Sequence, residues 1–136
     1  MKEMNILLLL TPKNELALLD DSMSIRQALE KMKFHGFSAV PVISKETGEY
    51  LGSISEGNLL WHIVDKDEYN ISKLAKQNIK SIINPDKYKP VNVFAKEDEL
   101  VKMITAQNFV PIVDDRNVLM GIVTRKKVMD VLTNKG

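Results

Sequence analysis

The sequence predicts an α/β (α+β) protein in which one β-α-β-β-α unit occurs twice, and three observations carry that expectation. The first is an internal repeat. Ala39-Val40-Pro41-Val42-Ile43, a turn at Glu46-Thr47-Gly48 and Tyr50-Leu51-Gly52-Ser53-Ile54-Ser55 are matched by Phe109-Val110-Pro111-Ile112-Val113, a turn at Asp114-Asp115-Arg116-Asn117 and Leu119-Met120-Gly121-Ile122-Val123-Thr124. Pro41 and Pro111 stand 70 residues apart and Gly52 and Gly121 stand 69 apart, so the second turn is one residue shorter, as a loop difference should be. The second observation is a helical signal before each hairpin and an apolar helical run behind it. The third is size and composition. A chain of 136 residues, 44% hydrophobic and 27% charged, is long enough for one domain or two packed halves around a real core, and is neither largely disordered nor fibrous.

The elements follow in chain order. The apolar run Ile6-Leu7-Leu8-Leu9-Leu10 falls far short of the roughly 18 residues of a membrane span and lacks the small-residue cleavage site of a secretory signal. Leu16 to Leu19 is a short strand candidate. Ser24-Ile25-Arg26-Gln27 has capping-box form, and Ile25, Ala28, Leu29 and Met32 continue at helical spacing until Gly36 stops the run as a C-cap. After the first hairpin, Leu59-Leu60-Trp61-His62-Ile63-Val64 reads as an apolar helix. Asp65 to Asn78 is a polar link in which Asn70-Ile71-Ser72-Lys73-Leu74 starts a short helix. The second copy opens on a strand candidate, Val91 to Phe94, and on a helix from near Glu97 with Leu100, Met103 and Ile104 on one face. It closes on Val128-Met129-Asp130-Val131-Leu132. The expected organisation is residues 1–66 as N-terminal segment and first repeat, 67–80 as connector and 81–136 as second repeat.

Charge and residue chemistry narrow the function. Nineteen Lys+Arg against eighteen Asp+Glu give a formal charge of +1, with none of the global positive field that nucleic-acid binding needs, so no nucleic acid and no membrane is expected as partner. The chain has no cysteine, hence no disulfide, thiolate nucleophile or Cys-based metal site, which suits the cytoplasm. His35, near a helix C-terminus, and His62, inside an apolar helix, are the only histidines and form no His-x-x-x-His or His-Glu-x-x-His pattern. Asp20-Asp21 and Asp114-Asp115 read as strand-end and turn acids. The expectation is no catalytic residue, no metal and no cofactor.

The pattern hydrophobic-x-Pro-hydrophobic, a turn, and Gly-hydrophobic-hydrophobic-[Ser/Thr]-x-x-[Asp/Asn] opening a helix resembles the CBS domain, and its tandem occurrence from about Leu10 to Leu132 resembles a Bateman module, a pseudo-symmetric pair of such repeats. The last motif reads Gly52-Ser53-Ile54-Ser55-Glu56-Gly57-Asn58 in one copy and Gly121-Ile122-Val123-Thr124-Arg125-Lys126-Lys127 in the other. The resemblance implies an adenosine-containing ligand in clefts between repeats, with occupancy passed to a regulated protein that the sequence does not identify. It implies one cleft from Leu16, Ala17 and Leu18, then Phe37, Ser38, Ala39, Val40 and Pro41, closed by Thr124, Arg125 and Lys126. It implies a second, weaker one from Val91, Phe109, Val110 and Pro111 with Ser55 and Asn58. Lys127 stands where the family has Asp to hold a ribose diol. Short stand-alone CBS pairs with a Thr-Arg-basic sequence at this point include bacterial receptors for cyclic di-AMP. That ligand brings two phosphates to a basic pair and has no free ribose 3′-hydroxyl, so it is the favoured one, with AMP, ADP and ATP as alternatives.

The same residues have a physical reading of their own. Arg125-Lys126-Lys127 begins a helix where the dipole already presents positive charge, a conflict of roughly 0.3 to 1 kcal/mol per cation that an anion relieves. A solvated basic helix start is the bland alternative. The matching turn Ser55-Glu56-Gly57-Asn58 is acidic and suits the dipole without a ligand, so the clefts should be unequal. Ser55 and Asn58 read as helix caps as readily as ribose contacts. Phe37 and Phe109 are core residues or base-stacking platforms. Pro41 and Pro111 each lack a ladder donor and belong at strand edges. Leu59 to Val64 is apolar nearly all the way round, and the run from Val128 repeats this more weakly, so a homodimer is expected to cover both. A structural interaction module with empty clefts is the alternative, and a small enzyme is disfavoured by the missing nucleophile, base and metal set.

Overall fold

Local chemistry builds the helices as expected. In a computed structural model that describes residues 5–35, 39–65 and 70–133, the side chains of His35 and Ile71 excepted, the elements in chain order begin with α1 (Ile6–Leu9), β1 (Thr11–Pro12), a 3₁₀ turn at Lys13–Glu15, β2 (Leu19–Asp20), α2 (Ile25–His35), β3 (Ala39–Ile43) and β4 (Tyr50–Ser55). They continue with α3 (Glu56–Asp65), α4 (Ile71–Leu74), a 3₁₀ turn at Ile79–Ile82, β5 (Val91–Asn92), α5 (Glu97–Ala106), β6 (Phe109–Val113), β7 (Leu119–Thr124) and α6 (Arg125–Thr133). The capping box before α2 closes both ways: the Gln27 N–H donates to Ser24 Oγ at 3.1 Å and the Ser24 N–H to Gln27 Oε1 at 2.9 Å. The first turn of α5 carries Glu97, Asp98 and Glu99, which favour the positive end of its dipole. Gly36, expected as a stop signal, lies outside the described residues.

These elements form two compact units that do not follow chain order. One runs from Ala17 to Asp86; the other takes the chain up to Leu16 and from Lys87 onward. In the first, a sheet of order β2-β3-β4 pairs β2 parallel to β3, Leu19 opposite Val42, and β3 antiparallel to β4, Ala39 opposite Ser55. Leu19, Ile25, Val42 and Ile54 are its buried centre, and Leu74 and Ile79 from the expected connector, 67–80, join them. The connector therefore contributes apolar side chains to this core, which local composition does not reveal.

The other unit repeats the plan with β5 parallel to β6, Val91 opposite Ile112, and β6 antiparallel to β7, Phe109 opposite Thr124. It gains a fourth strand at its edge. β1 pairs antiparallel with β7, Thr11 opposite Ile122, while Ile6 and Leu9 of α1 bury among Val91, Leu100 and Val123. Boundaries drawn in chain order do not express this pairing, because the apolar face of α1 finds its cover on the second repeat.

Two strands are shorter than expected, for local reasons. The ladder to β3 begins only at Leu19, and the Leu18 carbonyl accepts instead from Lys31 Nζ. After Asn92 the chain turns, the Phe94 N–H donating to Asn92 Oδ1 at 2.9 Å, so the strand candidate Val91 to Phe94 stops two residues early. In the second hairpin turn, the backbone N–H of Val118, with the N–H and guanidinium of Arg116, holds the Asp114 carboxyl below the usual aspartate range. Among the described residues no helix is long and apolar enough to cross a membrane.

Candidate functional site

Each unit places the start of its hydrophobic-Pro strand beside the start of the following helix. In the unit Ala17–Asp86, Ala39 pairs with Ser55, the residue before α3. β3 is the central strand of its sheet, so Pro41 is not on an edge strand as the sequence suggested. The register explains why it is tolerated: β2 reaches only Val42 and Ile43, so Ala39, Val40 and Pro41 lie beyond the neighbour's ladder and that stretch is locally an edge. Pro111 repeats the arrangement, β5 reaching only Ile112 and Val113. The Val40 and Pro41 side chains are buried and Ala39 is half-buried, so what this stretch offers a ligand is mainly backbone. Ala17 and Leu18, half-buried, lead into β2 alongside. Leu16 follows the 3₁₀ turn, its N–H donating to the Lys13 carbonyl at 3.1 Å. Phe37 and Ser38 lie outside the described residues.

The start of α3 is closed on itself. Asn58 Oδ1 accepts from the Ser55 N–H at 3.0 Å and from the Ser55 hydroxyl at 2.9 Å, and the Asn58 N–H donates to Ser55 Oγ at 3.1 Å. Both expected ribose residues thus serve as a cap, and exposed Glu56 adds negative charge there.

The start of α6 is basic. Thr124 accepts from the Lys127 N–H at 3.1 Å, the N-cap role. The Arg125 N–H donates to the Asn108 carbonyl at 2.9 Å. The Arg125 side chain has a role that the sequence did not show: Nε donates to the Ile104 carbonyl at 2.9 Å and Nη2 to that of Thr105 at 3.4 Å, capping the end of α5, whose last turn has no basic residue of its own. Three of the five guanidinium N–H groups are not used in those two bonds. The Lys126 side chain is 88% exposed, 3.8 Å from Asp130 in a weak i,i+4 pair. No acid stands in the first turn.

The expected residues of the second edge are core. Val91, Val110 and Pro111 are buried, and Phe109, 7% exposed, stacks on Tyr88 with ring centroids 4.4 Å apart and planes 13° apart. Lys87 Nζ lies 5.9 Å from the Tyr88 centroid. Tyr88 and buried Gln107 were not among the residues expected at the site. The signal for both was their place in the repeat, beside Val91 and Phe109. Among the described residues no group of three or more His, Cys, Asp or Glu side chains is arranged to hold a metal ion, and His62 Nε2 lies 2.8 Å from Gln77 Oε1.

Two repeats of this topology, each joining a hydrophobic-Pro strand to a Gly-hydrophobic-hydrophobic strand that opens a helix, define a tandem-repeat α/β module. The chain matches the CBS domain over residues 10–65 and again over 79–134, and it belongs to that family. Among solved structures it is similar to CbpB in complex with c-di-AMP, at 26% identity over 96% of this chain and 85% of that one, with a TM-score of 0.87. CbpB from Listeria monocytogenes in complex with c-di-AMP is similar at 20% identity over 96% of both chains, TM-score 0.85. CBSX2 in complex with AMP is similar at 23% identity over 96% of both, TM-score 0.75. No curated protein matches the chain.

Proposed function

We propose that this chain is a non-enzymatic cytoplasmic sensor of an adenine nucleotide, cyclic di-AMP foremost, and that it signals occupancy to a partner protein. The observation that carries the reading is the α6 start, where Arg125 and Lys126 follow the Thr124 cap and gather positive charge at a helix N-terminus with no acid in the first turn. The self-capped, acidic α3 start supports one favoured phosphate position. Leu16, Ala17, Leu18 and Phe37 to Pro41 are the residues proposed for the base, read through backbone. Ser55, Asn58, Val91, Phe109, Val110 and Pro111 form the weaker set. The structures of CbpB with c-di-AMP, and of CBSX2 with AMP, support a ligand of this class.

A thermal-shift panel of AMP, ADP, ATP, cyclic di-AMP and cyclic di-GMP tests this. An adenine nucleotide at one hundred times its dissociation constant adds about 2.7 kcal/mol of stability. Guanine analogues are expected to add much less. No shift from any adenine nucleotide at millimolar concentration would leave a structural interaction module with empty clefts.

Assembly is a second part of the proposal. Trp61 is 61% exposed and Met129 52%, with Leu60, Val64 and Leu132 also outside the core. A homodimer at micromolar concentration is expected to cover them, weakened by Trp61→Glu or Met129→Glu. Sedimentation of a stable wild-type monomer at that concentration would overturn it.

A further inference from the structure

The two units fill the same place differently. Leu19 opposite Val42 in one and Val91 opposite Ile112 in the other fix the correspondence of their strands. Counting back from those pairs sets Tyr88, Lys89 and Pro90 against Leu16, Ala17 and Leu18, and sets Gln107 and Phe109 against Phe37 and Ala39. In the first repeat the residues at these positions are small or apolar, and none of their side chains can hydrogen-bond to backbone.

In the second repeat the place is taken. Gln107, 6% exposed, accepts at Oε1 from the Lys89 N–H at 2.8 Å and donates from Nε2 to the Lys89 carbonyl at 3.1 Å and to the Phe109 carbonyl at 3.1 Å. That network fixes the orientation of the amide, because the N–H needs an acceptor and the carbonyls need donors. An amide that accepts from one residue's N–H and donates to the same residue's carbonyl presents the acceptor–donor pair of an adenine edge, a ring nitrogen beside the exocyclic amine. Alongside it the Tyr88 ring lies nearly parallel on Phe109 at 4.4 Å, the arrangement of a base on an aromatic side chain.

We propose that Gln107 and Tyr88 form a built-in adenine mimic, the amide satisfying the backbone of Lys89 and the phenol ring stacking on Phe109, so that the second repeat's strand edge is closed and the chain takes adenine only at the edge of Ala17 and Ala39. The proposal rests on the adenine-sensing reading above. It makes Gln107 and Tyr88 specificity determinants that set the number of nucleotides per chain.

AMP is the probe, since its single adenine reports one edge at a time. Titration calorimetry of the full chain is expected to give one equivalent of AMP for the wild type and two for Gln107→Ala combined with Tyr88→Ala. Gln107→Glu is the milder variant: it keeps the shape and the accepting oxygen but cannot donate to the carbonyls of Lys89 and Phe109, and it too should admit a second equivalent. A cooperative melt without nucleotide identifies which variants are folded. Two equivalents in the wild type overturn the proposal with no variant needed, as does one equivalent in both the wild type and a folded variant. If the wild type binds none and a folded variant binds one, the mimic stands and the reading of the first edge fails. If neither binds, both fall together.

Discussion

Arg125→Ala is expected to weaken cyclic di-AMP binding by one to two orders of magnitude and to lower the melting temperature when no nucleotide is present. The two effects have different origins. Binding falls because a charge-assisted contact to phosphate is worth about 1.5 to 3 kcal/mol. Stability falls because the Ile104 and Thr105 carbonyls lose the donors that cap α5. Lys126→Ala separates them, since among the described residues the one ion pair of this exposed side chain is with Asp130, at 3.8 Å: affinity should drop several-fold with the melt unchanged. Affinity of the wild type should also fall as salt rises. Calorimetry and melting on both variants check this. Unchanged affinity with a lowered melt in Arg125→Ala would make the residue a helix cap and nothing more.

Gly121→Ala is expected to cost about 3 kcal/mol, the upper end of the usual range for overpacking, because what it meets is largely backbone. A Cβ there would collide with the Thr11 carbonyl and Leu10 Cδ1 and come within 3.0 Å of the Pro12 Cα. Neither side can yield while β1 pairs with β7 at Pro12 opposite Gly121. The strand must separate, uncovering Ile6 and Leu9. A fall in Tm of roughly 10 °C is expected for a chain of this size. Gly57→Ala is the control: its new Cβ meets only Ser55 Oγ at an ordinary 3.6 Å within α3, so the change should be neutral or stabilising by about 0.5 to 1 kcal/mol. Thermal or urea melts of both decide the matter, and equal melts would mean that β1 does not hold against β7.

The same glycine shows why the motif has its form. Gly52, at φ 141°, is crossed by Ile83, Asn84 and Pro85, as Gly121 is crossed by Leu10, Thr11 and Pro12. Both glycines were visible in the sequence as markers of the repeat. The segments that cross them were not, because a backbone approach between residues this far apart leaves no local pattern.

By itself the sequence determined what depends on neighbouring residues and on the repeat. The hairpins about Pro41 and Pro111, the α2 capping box, the turn at Asp114 and the helix start at Arg125 are all governed by contacts within a few residues and by alternation or helical spacing, and all were legible. Tertiary structure alone decided where the groups at the site spend their hydrogen bonds. Arg125 reads in sequence as a cation awaiting phosphate, yet its guanidinium also reaches 20 residues back to Thr105. Gln107 reads as a polar residue after a helix, yet its amide is spent on Lys89, 18 residues away. The physical reason is that each N–H hydrogen and each oxygen lone pair serves one partner at a time. Which partner fills it is set by backbone brought alongside through strand pairing, and spacing along the chain carries no record of that.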